Sequence, residues 1–170
     1  LSGPGGRVFP ARSHIVLDEL ATARADDPNE GLQWPPSKLA EEVLVRCERW
    51  GVARMGVGDD ARGIQNDTLL EQFQKFGLNL TKPVKDRVSG WVRLKQEMAS
   101  TSADDPDRPG LFITERARYL LETLPSLPRD ELRPEDVDTA AADHGADALR
   151  YAVVHQPRIA QFGRVVGMPS

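Results

Sequence analysis

"VARMGVGDDARGIQNDTLLEQFQKFGLNLTKPV", residues 52 to 84, sets two short apolar runs on either side of a segment with helical spacing. The first run ends on Gly58, Asp59 and Asp60. It predicts a short buried strand whose carboxyl end presents acids. Thr68 and Glu71 then stand at capping-box spacing ahead of Leu70, Phe73 and Phe76, and Gly77 falls where a left-handed helix stop is wanted. The second run, "LNLTKPV", is a strand cut short by Pro83, which has no N–H for a sheet ladder. Strand, helix, strand in this order belongs to an α/β layered sheet.

The alternation continues in both directions. Upstream, "SHIVLDEL" reads as a strand, and Ser37 as the N-cap of a helix from about Lys38 to Trp50 that Gly51 stops. Downstream, Val88, Trp91, Leu94 and Met98 recur every three or four residues and give a third helix. "LFIT" follows as a strand and "ERARYLLETL" as a fourth helix ending before Pro125. The polar "STSADDPDRPG" and the Pro-rich, acidic "PSLPRDELRPEDVDTAA" are connections, and "AADHGADALRYAVV", residues 141 to 154, holds the last helix.

A chain of 170 residues suffices for one domain with a sizeable core. Hydrophobic residues at 39% and charged residues at 28% are globular values. No apolar run approaches the roughly 20 residues that span a bilayer, and the N-terminal stretch has no signal-peptide core, so a soluble protein with no membrane partner is expected. The single cysteine, Cys47, falls in line with Leu39, Val43 and Trp50 and reads as a buried bystander. A net charge of -4 argues against binding nucleic acid through overall positive charge. It leaves room for a local site, because carboxylates that hold metal ions push the total negative.

Two groups of acids carry that possibility. Ligands of open α/β sheets gather at the carboxyl ends of strands, where Asp59 is placed, although Asp59 and Asp60 could equally open their loop by side-chain to backbone hydrogen bonds. On the last helix, Asp143, His144 and Asp147 share one surface near the N-terminus. An N-cap role is sufficient for Asp143 but leaves Asp147 unexplained. With Gly145, Ala146 and Ala148 beside it, Asp147 can approach the sheet, where its charge needs a cation or a metal. Oxygen donors suit magnesium or manganese, and manganese also accepts imidazole. Lys85 and Arg87, at the start of the third helix, are candidates for DNA phosphate contacts beside the reading of a solvated helix end. Phosphate-loop, dinucleotide, CxxC and nucleophile-elbow motifs are absent from the sequence.

"DHGADALRY", preceded by "LPRDELRPEDVD" and "DRPGLFIT", and upstream of these "WGVARMGVGDDA", "EQFQKFGL" and "KDRVSGW", form an ordered series from about Val16 to Val153. The series resembles the C-terminal nuclease domain of large terminase subunits of tailed phages and prophages. The resemblance implies a ribonuclease H-like fold: a mixed sheet flanked by helices, over residues 1–155 with a tail at 156–170, lacking the family's first strand or strands. It implies a DNA endonuclease that cuts concatemeric DNA with two Mg2+ or Mn2+ ions, in the cytoplasm of the bacterial host. Asp59 matches the second family acid, Asp147 the third, and His144 a position that can assist the metal site; Asp60 and Asp143 would flank it. No residue before Ser13 matches the first acid, so the site is expected to be incomplete in this chain. A terminase ATPase domain, small subunit and capsid portal are the implied partners beside double-stranded DNA. Two other readings stay open: a resolvase- or transposase-like nuclease of the same fold group, and a degenerate module that docks on DNA or on the portal without catalysis.

Overall fold

The protein is described by a computed structural model over residues 8–24, 31–59, 67–101, 107–128, 137 and 143–155. Its elements, in chain order, are β1 (His14–Val16), α1 (Pro36–Trp50), β2 (Met55–Val57), α2 (Leu69–Lys75), β3 (Asn79–Thr81), α3 (Arg87–Thr101), β4 (Leu111–Ile113), α4 (Arg118–Thr123) and α5 (His144–Val154). A 3-10 turn, Leu124–Ser126, closes α4 around Pro125. The expected α/β alternation is present. Among the described residues the strands form two separate parallel pairs, β1 with β4 and β2 with β3, in place of one sheet.

The segment read first has the expected β–α–β form. Met55 pairs with Asn79, Gly56 with Leu80 and Val57 with Thr81, and α2 is the crossover. Both halves of the Thr68–Glu71 capping box are formed, satisfying N–H groups that the first helical turn cannot use itself. Gly77, at φ 88°, takes the left-handed turn after α2, where a side chain would be strained. The strand itself departs from expectation: Met55 is 62% exposed, so β2 is not buried. Neighbouring small residues, Gly56 and Gly58, admit the Leu80 and Leu70 side chains to its inner face instead.

α1 begins one turn earlier than its sequence suggests, with Pro35 at the N-cap and Pro36 as the first helical residue, a position where a missing N–H costs nothing. Ser37 therefore lies inside the helix. Gly51, at φ 60°, ends it as expected. Cys47 is half-buried, a partial match to its expected burial.

The main core gathers Trp91, Leu94, Leu111, Ala117, Leu120, Val137, Ala146, Leu149 and Val153, where α3, α4 and α5 close over β1 and β4. α3 is rotated from its expected phase: it buries Gly90, Trp91, Leu94 and Glu97, while Val88 and Met98 are exposed. The reason lies opposite. α3 packs mainly on α5, whose facing residue at this point is the arginine Arg150, and a glycine meets that side chain more closely than any apolar residue could. α5 also lies against α4 and against β2, the strand that leads to Asp59.

Candidate functional site

α3 and α5 meet through charge as well as through Trp91. Asp86 starts α3 by accepting hydrogen bonds from the Ser89 backbone N–H, 3.1 Å, and hydroxyl, 2.6 Å, which hold its carboxyl below the usual aspartate range. The cap fixes the first turn and with it Arg87. The Arg87 Nη1 donates to Asp147 Oδ2 at 3.1 Å, and Nη2 stands 3.7 Å from Asp143 Oδ2. From the other side, Arg150 Nε donates to Asp147 Oδ1 at 3.1 Å. Each carboxylate oxygen of Asp147 thus accepts from its own guanidinium.

Arg150 is 1% exposed. Its guanidinium lies 4.4 Å from the Tyr151 ring centroid and 5.6 Å from that of Trp91. Its stem passes so near α3 that a Cβ on Gly90 would stand 2.9 Å from both Cγ and Cδ. A buried cation of this kind is tolerated only with a close counter-ion, and Asp147 supplies it. The "KDRVSGW" and "DALRY" segments are therefore two halves of one structural unit, joined through Arg87, Gly90 and Trp91 on α3 and Asp147 and Arg150 on α5.

Asp143 stands at the N-cap position of α5, but its side chain makes no capping hydrogen bond. It is buried and turned toward Arg87. Burial pushes its carboxyl above the ordinary aspartate range and the charge on Asp147 pushes the same way, while Arg87 and His144 pull it back. His144 has a side chain 73% exposed and places Nδ1 3.8 Å from Asp143 Oδ1. Its other neighbours line an open, largely apolar cavity of about 530 Å3 with Glu19, Leu20, Tyr119 and Leu149, and Asp147 has no part in that lining.

The predicted residues divide accordingly. Asp143, His144, Asp147 and Arg87 are brought together. Asp59 follows β2 and is exposed, on the strand that α5 packs against; Lys85 is exposed just before α3, and Asp60 lies outside the described residues. Arg87 is directed inward onto the acids rather than standing as a solvated helix end. Arg150, Gly90 and Asp86 were not singled out from sequence. Only Asp86 carried a readable signal, an Asp three residues ahead of Ser89 at a helix start.

Carboxylates are the donors that magnesium and manganese take. Here both Asp147 oxygens already accept from guanidinium groups, and among the described residues no three His, Cys, Asp or Glu side chains are grouped closely enough to hold an ion. The arrangement does not fit two metal ions, and no reaction step is routed through them. No helix among the described residues is long and apolar enough to cross a membrane. Comparison with protein-family models, with curated proteins and with solved structures gave no match.

Proposed function

We propose that the chain is a ribonuclease H-like nuclease domain of the terminase type, acting on double-stranded DNA with Mg2+ or Mn2+. The observation that carries this reading is the packing of α5, which bears Asp147 and His144, against β2, whose carboxyl end leads to Asp59. Two acids distant in sequence are thereby set on neighbouring elements at the end of a parallel pair, where α/β proteins collect ligands. The terminase ATPase domain, the small subunit, the portal and the cytoplasm of a bacterial host belong to the same proposal.

A second reading is favoured by a specific observation: Asp147 is already satisfied by Arg87 and Arg150. On that reading the module docks on DNA or on the portal and does not cut. Supercoiled plasmid incubated with manganese separates the two. The nuclease reading expects weak nicking by this chain, strong nicking by a longer chain that adds the family's upstream acidic strand, and loss of nicking in Asp59→Asn. DNA retarded in a native gel but left intact by both chains would establish the docking reading instead.

A further inference from the structure

The two guanidinium groups on Asp147 are not equivalent. Arg150, 1% exposed and confined between Trp91, Tyr151 and Gly90, cannot leave without opening the α3–α5 contact. Arg87 is at the rim, its side chain 27% exposed, with solvent available to receive it. It reaches Asp147 at 3.1 Å and Asp143 at 3.7 Å, and so spans two neighbouring carboxylates. Asp143 is 6% exposed, and its two cationic neighbours, Arg87 and His144, stand 3.7 and 3.8 Å away, beyond close hydrogen-bond range. A buried carboxylate so loosely met still calls for positive charge. A group bridging oxygens of two carboxylates occupies the position that a hard divalent ion takes between such donors.

We propose that Arg87 is a built-in counter-cation: it holds the Asp143–Asp147 pair in a satisfied, latent state and competes with a divalent cation for the same oxygens. When the ion enters, Arg87 turns outward to solvent, while Arg150 stays and keeps Asp147 oriented. The misfit between the acids and a metal centre is then a property of the arginine-occupied state. This inference rests on the nuclease reading only for the identity of the incoming ion; the competition follows from the carboxylate–guanidinium geometry.

The test uses manganese chloride alone, without DNA, titrated calorimetrically into the folded chain. Arg87→Gln should bind Mn2+ about tenfold more tightly than the parent, the low end of what one close opposite charge does to a carboxylate. Arg93→Gln is the control. Arg93 lies on the same helix, 54% exposed and paired with Glu97, so its removal takes away equal charge and leaves Asp147 untouched. It should leave the affinity unchanged, and adding Asp147→Asn to Arg87→Gln should abolish the gain. Arg87→Lys, which keeps the charge but cannot fork across two carboxylates, should fall between and serves if the glutamine variant does not fold. The proposal is overturned if the cooperatively melting Arg87 variants bind Mn2+ no better than the parent or the Arg93 control, or if the gain survives Asp147→Asn. An Asp147-dependent gain without cleavage by any form sinks the nuclease reading alone. Metal-dependent cleavage with unchanged affinity in Arg87→Gln sinks the counter-cation alone.

Discussion

Asp147 and Asp59 were assigned to one site from sequence, yet they carry different energetic weight. Removing the Asp147 carboxylate leaves Arg150 buried with no counter-ion, so Asp147→Ala should cost on the order of 3 kcal/mol. Asp59 is exposed, and Asp59→Ala should change stability by less than about 0.5 kcal/mol. Urea melts of the metal-free chain check both; equal small losses would show that Arg150 finds another partner. Gly90 gives the complementary case. Alanine normally favours a helix interior over glycine by about 1 kcal/mol. Here the new methyl would meet the Arg150 stem at 2.9 Å, so Gly90→Ala should lower the melting temperature, with a net loss of about 1–3 kcal/mol. A rise would mean that Arg150 moves aside at no cost. Neither effect was legible in the sequence, because the need of Asp147 for a cation can be read from its place on a helix, but which cation supplies it depends on a residue 60 positions away.

Elements were legible where their signals are local. α2 carries its own cap and its own stop, and both are formed as read. α3 has no such self-contained rule: its buried face is set by Arg150 on α5, and the apolar spacing alone put Val88 and Met98 inward. α4 shows the same dependence on distant chain. The Glu19 carboxylate accepts hydrogen bonds from the backbone N–H groups of Tyr119, 2.9 Å, and Leu120, 3.0 Å, serving a helix start that no local residue caps. Burial pushes the Glu19 carboxyl above its ordinary value of 4.5; the two backbone N–H groups pull it back, and Glu122 and Asp18 push it up. The folded chain then binds this proton more tightly than the unfolded chain. Its contribution is fully present below about pH 4.5 and is lost as pH rises through the raised folded value. The melting-temperature difference between the parent and Glu19→Gln should therefore shrink as pH rises across that window and stay level above it. A difference that grows with pH would reverse the assigned direction.

For the molecule as a whole, an α/β fold follows from the order of strand and helix signals, and the partition into two parallel pairs does not. Strands of three residues carry too little pattern to specify their neighbours. The pairings differ greatly in the chain they enclose. β2 and β3 are joined through a single helix, whereas β1 meets β4 across most of the chain, with His14 opposite Leu111 and Glu19 bonded to Leu120. Closing the larger loop costs more entropy before any contact rewards it, so its formation belongs late in refolding. Pulse-labelled hydrogen exchange should find amides of β2, α2 and β3 protected before those of β1 and β4; simultaneous protection would show that the two pairs form in one step. During that interval the β1 segment is open to capture. A protease added early in refolding should cut near residues 17–24 while the β2–α2–β3 unit already resists, and the order in which peptides disappear would give the assembly sequence of the fold.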